Sequence, residues 1–212
     1  MDVEAVWAEA ERLWWAQDHD GAEPLLRRVA GTGHANAASL LGSLYAGRGL
    51  KEEAIRWNQV AAGQGWYTAM NNLALLLEDE DREEAVRWLR KAVTVPGDRT
   101  AEYNLGLFLA EDGLDEEAEH WFRVAAAVPF PGPRNTLANL LKEDGRVAEA
   151  EAWYRRAIDD GGDFLDDEED EDYEIYTLIM LNLADLLEES GHAEEALTFR
   201  HRAASRGDTG SA

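Results

Sequence analysis

A Leu followed by a small residue recurs along this chain at a nearly constant interval. The first three steps between these pairs are 32 residues long, and the last step is 46 residues long. The pairs are Leu41-Gly42, Leu73-Ala74, Leu105-Gly106, Leu137-Ala138 and Leu183-Ala184. A fixed period of this length is typical of repeat architectures, in which each unit buries its apolar faces only by stacking on its neighbours.

A second marker keeps the same register: an Ala followed three residues later by an aromatic side chain. The pairs are Ala54/Trp57, Ala85/Trp88, Ala118/Trp121, Ala150/Trp153 and Ala196/Phe199. Ala22 lies 32 residues before Ala54, with Leu25 in the aromatic position, which adds a degenerate first unit. The two markers predict six repeats, at about residues 2–34, 35–66, 67–98, 99–130, 131–158 and 173–205, with an acidic insertion at 159–172 and a flexible tail at 206–212.

Each unit has the periodicity of two helices joined by a short polar turn. In AEYNLGLFLAEDG, the residues Tyr103, Leu105 and Leu109 lie at helical spacing, and in DEEAEHWFRVAAA, Ala118 and Phe122 belong to a second helical stripe. No alternating run of Val, Ile and Thr indicates strands. The small residues would let the paired helices approach closely. The pattern predicts an all-α solenoid of about twelve helices over residues 1–212.

These residues resemble the tetratricopeptide repeat superfamily. The segment NLGLFLAEDGLDEEAEHWFRVAAA is similar to its pattern of Leu-Gly, Ala, aromatic and Ala. The segments LGSLYAGRGLKEEAIRWNQVAAGQG and AEAWYRRA are similar to the related Sel1-like repeats. Three segments do not match the family pattern: the first unit, PFPGP and the acidic insertion. The resemblance implies a right-handed superhelix whose first helices line a concave groove, a role in binding a protein or peptide, and no catalysis.

The groove positions follow from that resemblance. If the first helix of each unit faces inward, the inward residues lie two before, two after and five after the Leu of the Leu-small pair. The predicted peptide-binding residues are Asn71, Leu75, Tyr103, Leu107, Asn135, Asn139 and Lys142. An Asn amide can pair with the backbone of an extended peptide. The alternative is that these amides, together with those of Asn72, Asn104 and Asn182, satisfy polar groups between helices.

The net charge of the chain limits the kinds of partner that we expect it to bind. The chain has 44 acidic and 20 basic residues, and its net charge is −24. Nucleic-acid phosphates and anionic membrane surfaces attract Lys and Arg, so we expect neither to bind. In the predicted groove only Lys142 is cationic, with Arg134 nearby, which disfavours capture of a terminal carboxylate. We expect a neutral or basic peptide or an apolar helix as partner. The alternative function is an acidic nucleic-acid mimic that occupies the basic site of another protein.

Residue types that usually carry chemistry are sparse. The chain has no Cys, and none of its five His residues forms an i, i+4 pair or a HExxH motif. We therefore expect no enzyme activity, no cofactor and no metal site. A basic, apolar leader and an apolar run of membrane-spanning length are also missing from the sequence, so we expect a cytoplasmic location. The oligomeric state does not follow from the sequence.

Tryptophan is abundant, with eight residues in the chain. Four of them, Trp57, Trp88, Trp121 and Trp153, hold the aromatic position of the repeat, where we expect packing between helices. The other four are outside the register: Trp7, Trp14, Trp15 and Trp66. Because Trp14 and Trp15 are adjacent, they cannot share one helix face. One of them is expected either to be exposed or to cover the N-terminal end of the array.

The acidic insertion has two interpretations. Eleven of the sixteen residues from Asp159 to Glu174 are carboxylates. A calcium-binding EF-hand loop is disfavoured because Gly161 and Phe164 stand where ligand and turn residues are needed. A solvated loop or an acidic first helical turn is the simpler interpretation. The other is a surface that attracts a basic partner, formed by an acidic patch of Asp166, Asp167, Glu168, Glu169, Asp170, Glu171 and Asp172.

Deleting residues 163–172 tests these interpretations. Because the repeat register resumes after the insertion, we expect nearly unchanged helicity and melting temperature, measured by circular dichroism. If partner affinity is also unchanged, the idea that the acidic patch attracts a basic partner is wrong. A cooperative loss of helicity would instead contradict the placement of this segment outside the repeats.

Overall fold

The structure is a computed structural model that describes residues 2–97, 99–161 and 173–207. These residues form twelve α-helices and contain no strand, which confirms the all-α prediction. The helices are α1 (Val3–Trp15), α2 (His19–Ala30), α3 (Ala35–Gly47), α4 (Lys51–Ala62), α5 (Tyr67–Leu77), α6 (Arg82–Ala92), α7 (Thr100–Glu111), α8 (Asp115–Ala125), α9 (Pro131–Glu143), α10 (Val147–Asp160), α11 (Tyr173–Glu189) and α12 (Ala193–Gly207).

The chain divides into two compact units, Met1–Phe108 and Leu109–Ala212. Unit 1 contains α1 to α6 and most of α7, and unit 2 contains the end of α7 and α8 to α12. Each unit is described by itself. None of the helices within the described residues combines the length and the apolar character that crossing a bilayer requires.

The two sequence markers form the core of each unit. The Leu of every Leu-small pair is completely buried, at 0% exposure. The Ala that marks each second helix is 0% or 1% exposed. The five Ala positions are Ala54, Ala85, Ala118, Ala150 and Ala196. Within each unit, small side chains at these positions allow neighbouring helix backbones to approach, and the buried Leu fills the remaining space.

In unit 1, Gly42 on α3 packs closely against Asn58 on α4. A Cβ atom added at Gly42 would lie 2.3 Å from Asn58 Nδ2, which is far inside van der Waals contact. Asn58 is completely buried, and its Nδ2 donates to the Ala54 carbonyl at 2.9 Å. Its Oδ1 is buried without a hydrogen-bond partner. The amide therefore occupies the volume that a side chain at Gly42 would need.

The repeat tryptophans are only half-buried, and the residue after each of them is the one inside the core. The half-buried set is Trp57, Trp88, Trp121 and Trp153, and the buried set is Asn58, Leu89, Phe122 and Tyr154. Basic side chains cover two of the indole rings. Lys91 Nζ lies 4.1 Å from the Trp88 ring centre, and the Arg156 guanidinium carbon lies 5.2 Å from that of Trp153. The expected packing role thus falls mainly on the next residue along each helix.

In unit 2, several contacts hold the end of α10, just before the acidic insertion. Arg134 is 2% exposed, and its Nη1 lies 2.5 Å from Asp160 Oδ2. Its guanidinium also donates to the carbonyls of Ala126 and Arg156, at 3.2 and 3.3 Å. Gly161 packs beneath the ring of Tyr176 on α11, where an added Cβ would lie 2.3 Å from ring atom Cε1. The acidic patch itself lies outside the described residues.

Substituting Gly42 tests the close approach of α3 and α4. Gly42→Ala places a methyl group against Asn58, and we expect a loss of about 1–3 kcal/mol in the free energy of unfolding, measured by urea denaturation. The double variant Gly42→Ala/Asn58→Ala should lose less than the sum of its single substitutions, because the colliding amide is gone. Gly47→Ala, in the same helix but with open space around its Cα, is the control. Equal effects of the two alanines would contradict the packing described here.

Candidate functional site

In unit 1, amide side chains link the first helices of consecutive helix pairs. Asn72 Nδ2 on α5 donates to Ser43 Oγ on α3 at 3.3 Å. Asn104 Nδ2 on α7 donates to Asn71 Oδ1 on α5 at 2.8 Å. Asn71 is only 6% exposed, so its carbonyl oxygen depends on this donor. These bonds fix the register of three helices along the face that the sequence predicts to be inward.

Unit 2 repeats the arrangement across the acidic insertion. Asn182 Nδ2 on α11 donates to Asn135 Oδ1 on α9 at 2.9 Å, although 47 residues separate them. Asn135 is 7% exposed. For Asn72, Asn104 and Asn182, the structure therefore favours the alternative in which the amides satisfy polar groups between helices. The prediction that Asn71 and Asn135 contact a peptide stays a prediction, and it now competes with their use inside the fold.

The other two predicted residues of unit 2 also have partners within the fold. Asn139 Oδ1 accepts a hydrogen bond from the Tyr154 hydroxyl. Burial, together with the nearby carboxylates of α9 and α11, raises the pKa of Tyr154 to about 12, so the hydroxyl stays protonated and donates. Lys142 Nζ lies 3.1 Å from Glu189 Oε1. Arg134 is buried and bound to Asp160, so it is not placed to clamp a ligand carboxylate.

Apolar side chains on the same face of unit 1 remain accessible. Leu75 on α5 is 44% exposed, and Tyr103 and Leu107 on α7 are half-buried. The bond between Asn71 and Asn104 joins the two helices that carry them. Leu75, Tyr103 and Leu107 are named the inner apolar surface below. Leu75 therefore has exposed apolar area that contact with another molecule would bury.

The carboxylates of the second helices are extensively paired in unit 2. Arg146 Nη1 donates to both oxygens of Glu119, at 2.8 Å each, and Arg123 Nη2 lies 2.9 Å from Glu149 Oε2. Hydrogen bonds from Arg146 and then Arg123 lower the pKa of Glu149 to about 2. Partial burial would raise the pKa of Glu119, yet its bonds to the two arginines lower it overall. These carboxylates are ionised at neutral pH and their charges are compensated.

The tryptophans outside the register have different environments. The Trp7 ring packs against His34 with ring centres 4.4 Å apart, and Trp14 stacks on His19 at 4.7 Å. Trp15 is 77% exposed, so of the adjacent pair it is the one that faces solvent. Trp66 is half-buried at the start of α5. Within the described ranges, no three His, Asp or Glu side chains are grouped as a metal site requires.

Comparison with known families identifies the repeat. One tetratricopeptide repeat model matches residues 8–69 and 74–132, and a second matches residues 134–160. The chain belongs to the tetratricopeptide repeat family. No protein of curated function matches its sequence.

Solved structures of tetratricopeptide and Sel1-like proteins share the fold. The structure of pilF from Pseudomonas aeruginosa is 18% identical, with a TM-score of 0.75, and the match covers 99% of this chain and 93% of that chain. The antigen c5321 of uropathogenic Escherichia coli, which has an SLR fold, is 22% identical with a TM-score of 0.72, over 97% of this chain and 48% of that chain. YrrB, described as a TPR protein with an unusual peptide-binding site, is 16% identical with a TM-score of 0.58, over 84% and 89%.

Substituting Asn104 tests whether the amides hold this tetratricopeptide array together. Asn104→Ala leaves the buried Oδ1 of Asn71 without its donor, and we expect a cost of about 1–3 kcal/mol in the free energy of unfolding, measured by denaturant titration. Asn36→Ala, at a half-buried Asn near the start of α3, serves as the control. If Asn104→Ala leaves stability unchanged, the amide does not support the fold and its role is open to ligand contact.

Proposed function

We propose that this protein is a non-catalytic scaffold that holds a protein or peptide partner against the inner face of its first helices. Membership of the tetratricopeptide repeat family supports a role in protein interaction, and YrrB is a structural relative described as having a peptide-binding site. The observation that carries the proposal is the inner apolar surface of unit 1. It combines a 44% exposed Leu75 with two half-buried apolar side chains on the adjoining helix.

The chemistry of that surface defines the partner. In the proposal, the partner buries apolar side chains against Leu75, Tyr103 and Leu107. Asn71, Asn135 and Asn139 position the helices that present the inner face, and Lys142 lies on the same predicted face in unit 2. The net charge of −24 favours a neutral or basic partner, because an acidic one would be repelled during approach.

The alternative function, in which carboxylates imitate nucleic acid, depends on exposed and uncompensated charge. Compensated carboxylates such as Glu119 and Glu149 contribute little to such a surface. The two functions differ in their response to salt. Binding to an apolar surface changes little with ionic strength, whereas imitation of nucleic acid weakens steeply because its attraction is screened.

Affinity purification with the full chain, followed by mass spectrometry, identifies the partner, and calorimetry with the purified partner then tests the surface. We expect Leu75→Ser/Leu107→Ser to weaken binding about tenfold or more, as substitutions at the centre of an interface do. Val60→Ser is the matched control, because Val60 lies in the same unit, on the second helix α4, and has the same 44% exposure as Leu75.

Two outcomes contradict the proposal. Retained affinity in the double variant, with an unchanged circular dichroism spectrum, excludes the inner apolar surface as the site. A steep loss of affinity between low and high salt, with no effect of the Leu substitutions, favours the acidic mimic instead.

A further inference from the structure

Unit 1 contains an open cleft of about 560 Å³ at the N-terminal edge of the array, distinct from the inner apolar surface. The turn between α1 and α2 forms one wall, and the end of α3 forms the other. The first wall includes Trp14, Gln17, Asp18 and Asp20, and the second includes Gly47 and Arg48. These residues are named the edge cleft below. His19 and Ser43 also line it.

Gln17 occupies a backbone conformation that normally requires glycine. Its φ is 61°, in the left-handed region, and its N–H donates to the Trp14 carbonyl at 2.9 Å. Glycine with positive φ occupies the corresponding position in four other units, at Gly49, Gly113, Gly145 and Gly191. A side chain there is strained. At this strained position, Gln17 places a polar side chain at the edge cleft, where glycine would have none.

The polar atoms of the edge cleft are mostly acceptors. Asp18 uses Oδ1 to accept the Gly21 N–H at 2.9 Å, which caps α2, and its second carboxylate oxygen adds further acceptor capacity. His19 Nε2 is buried without a hydrogen-bond partner, while its ring stacks on Trp14. The last turns of α1 and α3 add the partial negative charge of helix C-termini, which the positive N-terminal end of α2, capped by Asp18, partly offsets.

Among the described residues that line the edge cleft, the cationic side chain is that of Arg48, and it is already paired with carboxylates. Arg48 donates to Asp20 Oδ1 and Glu23 Oε2, at 2.5 Å each. Hydrogen bonds from Tyr45 and then Arg48 lower the pKa of Glu23 to about 2, so this carboxylate is ionised at neutral pH. The Asp20 side chain is 94% exposed and can accept further bonds. Glu23 also pairs with Arg27 at 3.0 Å, so the carboxylates that retain acceptor capacity at the edge cleft are Asp18 and Asp20.

We propose that the edge cleft binds the guanidinium group of an arginine side chain on a partner protein. A guanidinium is a planar cation with five N–H donors and no acceptor, which complements carboxylates and an unpaired imidazole nitrogen. The indole of Trp14 adds an aromatic wall suited to a cation. The proposal is independent of the inner apolar surface, and loss of one site leaves the other testable.

The probe is N-acetyl-L-argininamide, titrated into the ¹⁵N-labelled full chain and followed by the indole N–H resonance of Trp14. We expect a saturable shift with a dissociation constant on the order of millimolar, as for a single anchoring group. N-acetyl-L-citrullinamide, which has the same shape without the charge, should give no saturable shift. N-acetyl-L-lysinamide should bind more weakly because it is a point charge without the planar fork.

Substitutions at the edge cleft test whether the probe binds there. Gly47 lines the edge cleft, and a Cβ added there meets nothing within 4 Å, so we expect the bulkier side chain of Gly47→Leu to obstruct the cleft and abolish the shift. Asp20→Asn should weaken binding about two- to fivefold. Glu52→Gln, one repeat later in the first turn of α4, is its matched control and should have no effect. Gln17→Gly should raise the melting temperature and weaken probe binding, a combination that a purely structural role of Gln17 would not produce.

Several results overturn the proposal. It fails if the argininamide shift does not saturate, if citrullinamide gives the same shift, or if Gly47→Leu leaves binding intact. Equal binding of lysinamide overturns the guanidinium assignment. Tighter binding of free L-arginine than of its capped derivative overturns the assignment to a partner side chain, because the charged amino-acid ends would then be part of the recognised ligand.

Discussion

The close approach of the two helices within each pair is the contact on which the rest of the structure depends. An array of helix pairs has no central core, and its stability is the sum of packing within units and between neighbouring units. Buried Leu residues opposite Ala or Gly make the packing within a pair possible, and the contact of Gly42 with Asn58 shows how little space remains. A larger side chain at any of these positions would also displace the face that the next pair packs on.

Hydrogen bonds between the side-chain amides of the first helices fix the register of this packing. Apolar contacts are insensitive to small shifts along a helix, whereas a hydrogen bond such as that from Asn104 to Asn71 tolerates displacements of only tenths of an ångström. The same bonds occupy groups that the sequence alone offers to a ligand. With its amides engaged, the proposed binding face of unit 1 presents mainly apolar area, which is why Leu75 rather than Asn71 is the residue to substitute.

The sequence predicts the architecture well because the period constrains every unit at once. The all-α fold and the helix pairs follow from two markers in one register, and the resemblance to tetratricopeptide repeats is confirmed by the family match. The sequence predicts side-chain roles less well. The repeat Trp and the residue after it differ by about 100° around a helix, and a small rotation decides which one enters the core. The partner of Asn182 lies 47 residues away, across an insertion, so no local pattern identifies it.

A chain with 44 acidic and 20 basic residues has to limit repulsion between its own carboxylates. Here an arginine is often shared between two acids. Arg48 binds Asp20 and Glu23, and Arg146 binds Glu119 and Glu149. The lowered pKa values of Glu23 and Glu149 mean that these pairs contribute stability above the ordinary pKa of Glu, near 4.3, and lose it as pH falls toward about 2.

Compensation of this kind is incomplete, since the acidic residues outnumber the basic ones by 44 to 20. The remaining negative field steers basic molecules toward the protein over distances of about one Debye length, roughly 8 Å at physiological salt. It acts on the rate of approach and adds little to a contact made through leucine. At the inner apolar surface, salt should therefore change the association rate and the affinity only slightly, because the contact itself is apolar. At the edge cleft, where the ligand itself carries the charge, salt should weaken binding much more.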